Sequence, residues 1–165
     1  GPVRGRVVSG EVHDLNAACM GGVAAHAGLF GSPEAVARVG AWLLSAHDGD
    51  ATELSASTVR RFWTARGPGS HRLGWDGVTP GSSSAGPLWP LDGVGHLGFT
   101  GCSVWIAPRQ GVVVTLCSNR VHPDIEGGAV PGAPITPRLA AFKAFRPAVH
   151  TAVATVLGRE GSWCD

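Results

Sequence analysis

The sequence predicts an α+β fold, an antiparallel sheet meander flanked by helices, and three observations lead there. First, Gly95-His96-Leu97-Gly98-Phe99-Thr100-Gly101-Cys102-Ser103-Val104-Trp105-Ile106-Ala107-Pro108 reads as strand, glycine turn and strand. The run Val112-Val113-Val114-Thr115-Leu116-Cys117 that follows is too short for a buried helix. Second, alternation puts Cys102, Val104, Ile106, Val113, Thr115 and Cys117 on one face and Ser103, Trp105, Val114 and Leu116 on the other. Both faces are largely apolar, so both need a cover. Third, two helix starts, Ser32-Pro33-Glu34 and Thr136-Pro137, bracket this block and can supply that cover.

Along the chain, residues 1–31 read as an irregular, glycine-punctuated lead-in. Ser32 is an N-cap, Pro33 suits the first helical position and Glu34 complements the helix dipole. Val36, Val39, Leu43 and Leu44 give that helix an apolar stripe, which His47-Asp48-Gly49-Asp50 stops. Ser55 caps a shorter helix to about Thr64, with Val59, Phe62 and Trp63 on its buried side. Residues 66–91 are rich in Gly, Ser and Pro; Leu73-Gly74-Trp75-Asp76 suits a short strand or ordered turn, and 81–86 a loop. Strands are expected near 93–98, 102–108 and 111–119. If Arg109-Gln110 form the hairpin tip, partner numbers sum to 219 and Cys102 faces Cys117. Those two cysteines read as small buried hydrophobes, and a directly cross-strand disulfide between them would be strained. A last helix runs from Thr136 to about Leu157, with Pro147 predicting a kink or restart. The whole reads as one unit over 1–165: a helical and loop region over 1–91, a three-strand meander over 92–120 and a C-terminal helix over 136–158.

Composition narrows the function classes. With 44% hydrophobic and 15% charged residues, 165 residues can bury a core, and disorder is not expected. A net charge of +1 argues against nucleic acid or an anionic membrane as partner. No apolar run approaches the length of a membrane span. Four scattered cysteines and seven dispersed histidines give no metal-ligand spacing, so neither a metal nor another cofactor is expected. Lys143 is the only lysine beside twelve arginines, a usage that fits a GC-rich bacterial genome. Met20 is the only methionine, so the chain reads as processed or as a piece of something longer.

The block from Gly95 to Arg120 resembles the third conserved motif region of the serine β-lactamase and penicillin-binding-protein superfamily. More narrowly, it is similar to the class C β-lactamase and esterase-like branch, whose members carry His-x-Gly where others carry Lys-Thr-Gly. Gly21-Gly22-Val23-Ala24-Ala25-His26-Ala27-Gly28-Leu29-Phe30 and Asn119-Arg120-Val121-His122-Pro123 extend the resemblance. It implies an incomplete β-lactamase/transpeptidase-like fold and, in the parent protein, acyl-enzyme hydrolysis of a small-molecule amide or ester such as a β-lactam, a D-Ala peptide or a small ester.

On this resemblance His96 lines the cleft, orienting a substrate carboxylate or carbonyl and tuning proton transfer. The Phe99 backbone N–H supplies half of an oxyanion hole. Leu97, Gly98 and Thr100 contact substrate, Gly98 by letting substrate lie close to the strand. Leu97 stands where the family usually has a hydroxyl, which shifts the expectation toward an esterase-like hydrolase. Glu11-Val12-His13-Asp14 also resembles this branch; within these stretches His26, being isolated, reads as a buried structural histidine, and His13 and Asp14 as partners of each other or a turn cap. The 119–123 segment reads as strand termination with a turn at Pro123.

The family's nucleophile motif, Ser-x-x-Lys, is absent, because residue 140 is alanine ahead of the sole lysine. The second motif, Tyr-x-Asn or Ser-x-Asn, is absent too, as is tyrosine altogether. The chain therefore reads as the C-terminal portion of a serine hydrolase, inactive alone. The alternatives are a non-catalytic binding module and a half-enzyme completed by a separate N-terminal chain. The resemblance further implies that the strand at 112–117 is left as a bare edge, to be paired by the missing N-terminal part or by self-association. It leaves a periplasmic, secreted or cytoplasmic bacterial setting open.

Overall fold

The computed structural model describes residues 4–51, 53–65, 67, 69–122 and 137–159. Its elements run α1 (Leu15–Cys19), α2 (Pro33–Asp48), α3 (Ala56–Trp63), β1 (Asp76–Gly77), β2 (Val94–Leu97), β3 (Ser103–Ala107), β4 (Val112–Leu116) and α4 (Pro137–Arg159). The strands form one antiparallel sheet in the order β1-β2-β3-β4. The expected meander is present, lengthened by the two residues of β1 at one end.

Register follows from one turn. The Gly111 N–H donates to the Pro108 carbonyl at 3.3 Å, so Arg109 and Gln110 form the tip. Gly111 has φ +65°, a conformation that favours glycine. From that tip Ala107 pairs with Val112 and Ser103 with Leu116, as the sum of 219 requires. On the far side of β3, Val94 pairs with Ile106 and His96 with Val104. One face thus carries Val94, His96, Val104, Ile106, Val113 and Thr115, and the other Gly95, Leu97, Ser103, Trp105, Val114 and Leu116.

Each face has its own core. On the first, Val94 and Ile106 pack with Leu44 and Ala46 of α2 and Val59 and Trp63 of α3. Gly40 is the point of closest approach, since a Cβ there would lie 2.6 Å from Val113 Cγ1. On the second, Trp105 and Ala107 pack with Val78, Ala85, Trp89 and Ala154, with Leu157 alongside. Gly95 leaves room for the Trp105 ring and the Val104 carbonyl, whose oxygen would lie 2.6 Å from an added Cβ.

Several expectations change. Residues 15–19 are a short helix, capped by the Asp14 side chain on the Ala17 N–H at 2.8 Å. The buried line of α2 runs through Gly40, Leu44 and Ala46 instead of Val36 and Val39, which are exposed, because α2 needs its glycine against the sheet. Phe62 is exposed, since one turn of α3 can turn only Val59 and Trp63 inward. Helix α4 continues through Pro147 without a restart, its sheet-facing side held by the packing of Ala154 and Leu157. The turn at Pro123 and the Thr136 helix start lie outside the described residues. Ser32 and Ser55 cap α2 and α3, and Gly49 closes α2 in the left-handed conformation, all as expected. Among the described residues no helix is long and apolar enough to cross a membrane.

Candidate active site

The predicted residues sit at the end of β2 and in the turn leaving it. His96 is exposed on the α2 face of the sheet, with Nδ1 3.0 Å from the Leu97 carbonyl oxygen. Leu97, one residue on, falls on the opposite face, opposite Ser103. The turn over 98–101 is closed at its base by the Gly98 N–H on the Cys102 carbonyl at 2.8 Å and internally by the Gly101 N–H on the Gly98 carbonyl at 3.0 Å. Gly101 has φ +110° and packs against Ser118 and Phe142, so only glycine fits there.

Two arginines hold this turn from behind. Arg120 donates its backbone N–H to the Thr100 carbonyl at 2.8 Å and its Nε to the Phe99 carbonyl at 2.7 Å. Its guanidinium also lies over the Phe99 ring, 4.9 Å from the centroid. Arg146, from α4, donates Nε to the Gly101 carbonyl at 3.2 Å and Nη2 to the Gly98 carbonyl at 3.4 Å. Burial, with Arg120 nearby, lowers the Arg146 pKa, and the carbonyls take the place of the water that guanidinium has lost. All the carbonyls from Gly98 to Gly101 are thus engaged. In a trans peptide the N–H of one residue points opposite to the carbonyl before it. Holding the Gly98 carbonyl therefore aims the Phe99 N–H away from the clamp, and among the described residues that N–H has no acceptor.

A cleft of about 300 Å³ adjoins the turn, lined among others by Glu11, His13, Thr100, Ser118, Asn119 and His122. Thr100 reaches it directly. Phe99 does not line it but stacks its ring on His13, which does, at 5.8 Å between centroids; His96, Leu97 and Gly98 do not line it either. His13 does not bond Asp14; it packs on Phe99. Asp14 instead pairs with His26, whose Nε2 lies 3.0 Å from Asp14 Oδ1. The Ala17 N–H first, and His26 second, hold the Asp14 carboxyl below its usual range. His26 is 53% exposed, not buried, because the tight Ala24–Ala27 bridge turns its ring outward to the cap of α1. A second, polar depression of about 640 Å³ at the hairpin-tip end, lined by Arg60, Arg72, Asp92 and Arg109 among others, contains none of the predicted residues. Among the described residues no group of three metal-ligating side chains occurs.

The arginine clamp was not visible in the sequence. Arg120 stood in a motif read as strand termination, and nothing local marks Arg146 as the partner of a turn more than forty residues earlier.

The profile of the family described as Beta-lactamase matches residues 2–130. The chain belongs to this family. Its α+β architecture, with an antiparallel sheet and helices, fits a partial β-lactamase fold, and the family is one of serine hydrolases. Among curated relatives, a protein of Escherichia coli O157:H7 named "Putative D-alanyl-D-alanine carboxypeptidase" is 33% identical over 121 residues, 70% of this chain and 28% of the relative. The protein of the same name from Escherichia coli K12 is 31% identical over 128 residues, 74% of this chain and 30% of the relative. A Salmonella agona protein of that name is also 31% identical, over 129 residues. The β-lactamase-family chain thus spans about three-tenths of the length of the curated relatives it matches. No solved structure matches it.

Proposed function

We propose that these residues form the C-terminal wall of an acyl-transfer cleft in a serine hydrolase whose nucleophile lies in polypeptide outside them. In this reading a serine hydroxyl of a Ser-x-x-Lys motif attacks the carbonyl of an amide or ester, the lysine takes its proton, and an acyl-enzyme forms that water then hydrolyses. The Phe99 N–H donates to the developing oxyanion together with the nucleophile's own N–H. His96 orients the substrate's carboxylate or carbonyl and tunes the proton transfers. Gly98 and Thr100 border the substrate, and Leu97 replaces a hydroxyl contact with an apolar one. The supporting observation is the unpaired Phe99 N–H on a turn whose carbonyls are all engaged. The relatives' names make a D-alanyl-D-alanine peptide the first substrate to try, with β-lactams and small esters beside it.

Alone, the chain is inactive in this reading, since it lacks Ser-x-x-Lys. The half-enzyme reading is compatible with one observation: among the described residues β4 ends the sheet and its residues Val112–Leu116 are only half-buried. An N-terminal partner or a second copy would pair with that edge. The test is active-site labelling with a fluorophosphonate and a fluorescent penicillin. The expected result is no label on this chain alone and a label on the serine of Ser-x-x-Lys in a longer or complemented protein. Covalent label on any serine of the isolated chain overturns the assignment.

A further inference from the structure

We propose that Cys102 and Cys117 are a reversible covalent-modification site, a dithiol that reacts with a low-molecular-weight disulfide and closes into a cross-strand bond beside the 98–101 turn. The argument is one of register. The β3–β4 ladder ends at Ser103 opposite Leu116, and one further step in the same register sets Cys102 opposite Cys117. Opposed residues of antiparallel strands have Cα atoms about 4.5–5.5 Å apart, within the roughly 4.4–6.8 Å that disulfides span. Both thiols are free; Cys117 is exposed and Cys102 half-buried. Cys102 Sγ donates to the Ser118 carbonyl at 3.5 Å and lies 3.8 Å from Thr100 Oγ1, so it sits between the strand end and the turn. The sulfurs also feel one another: burial raises the Cys117 pKa and the Cys102 sulfur beside it adds to the rise.

The chemistry balances as two exchanges. The exposed Cys117 thiolate attacks the small disulfide, forming a mixed disulfide and releasing one small thiol. The Cys102 thiolate then attacks the Cys117 sulfur, forming the Cys102–Cys117 bond and releasing the second. Two electrons pass from the protein to the oxidant, and the two protein protons end on the released thiols. A bond directly across two strands is strained and therefore easily reduced, which makes the modification reversible. Because the Cys102 carbonyl accepts the Gly98 N–H, closure ties the end of β4 to the base of the turn. This inference does not depend on the proposed hydrolase activity.

The test uses the chain with Cys19→Ser and Cys164→Ser, treated with glutathione disulfide and then with a small dithiol reductant. Trypsin cutting after Arg109 separates the two cysteines into different peptides. The expected result is loss of the mass of two hydrogens, a peptide pair joined through Cys102 and Cys117, and full reversal by the reductant. In the same experiment Cys117→Ser abolishes the joined pair, and amide resonances over 98–101 shift on oxidation of the parent chain. A stable glutathione adduct on either cysteine, cross-linking between molecules, or two unreacted thiols under conditions that oxidise the urea-unfolded chain would each overturn it.

Discussion

Acidification should weaken this fold through one side chain, His150. Its ring is fully buried, with Nε2 3.3 Å from Ser103 Oγ and an edge-to-face contact with Trp89 at 5.5 Å. Burial first, and the nearby Arg146 charge second, push its pKa down from 6.5 to about 4. The folded state therefore holds His150 neutral where the unfolded chain already protonates it. The unfolded state binds more protons between those two values, so stability is whole above the unfolded pKa and falls as pH drops toward the folded one. A gap of about 2.5 units at about 1.36 kcal/mol per unit sets the full loss at about 3 kcal/mol, most of it reached by about pH 4.5; carboxylates titrate there too, and comparison with His150→Leu separates their share. The assay is urea denaturation at about pH 7.5 and about pH 4.5, at one low protein concentration, for wild type and His150→Leu. The variant starts less stable, because Ser103 loses its partner, but its stability changes little with pH. An equal drop in both proteins would refute the reasoning.

Other expectations are as direct. Gly95→Ala forces a Cβ into the Trp105 ring and to 2.6 Å from the Val104 carbonyl oxygen; a loss of about 3 kcal/mol is expected, and an unchanged denaturation midpoint would contradict the packing. Arg146→Ala removes two charged donors from the turn, at about 1–3 kcal/mol in all, and backbone 15N relaxation should show Phe99 loosening while β3 stays rigid. Arg120→Ala removes the side-chain bond to the Phe99 carbonyl but keeps the backbone bond to Thr100, so it should loosen Phe99 and leave Thr100 held, and in an active longer protein either change should lower kcat more than it raises KM. Sedimentation velocity of the isolated chain should show association growing with concentration through β4; a monomer at every concentration, with a cooperative unfolding transition, would remove the case for an open edge.

The sheet was legible because its rules are local. Alternating Val, Ile and Trp set two apolar faces, and a two-residue tip at Arg109-Gln110 sets the register of β3 on β4. Helix caps were legible for the same reason, since Ser32 and Ser55 act on amides three residues away. What escaped depends on contacts across the chain. Which side of α2 faces inward is decided by Gly40 meeting Val113, and no periodicity of large residues reveals that a glycine marks the contact. His26 looked buried in an apolar stretch, but a tight bridge turns it out to Asp14. His150 carried a signal that could have been read: with Ala154 and Leu157 it falls at helical spacing on an apolar stripe. At the candidate site, His96 and Phe99 were singled out by motif alone, whereas the guanidiniums that hold the 98–101 turn come from the strand end and from a helix far along the chain.

The reach of Arg146 back to Gly98 and Gly101 has a consequence for synthesis on the ribosome. The hairpin from β3 to β4 can zip as soon as it emerges, but its neighbouring bend lacks half of its fastening until the middle of α4 has left the exit tunnel. The wall that would face a substrate is therefore the last part of this sheet to mature, and a nascent chain stalled before residue 146 would display finished strands around an unfinished bend.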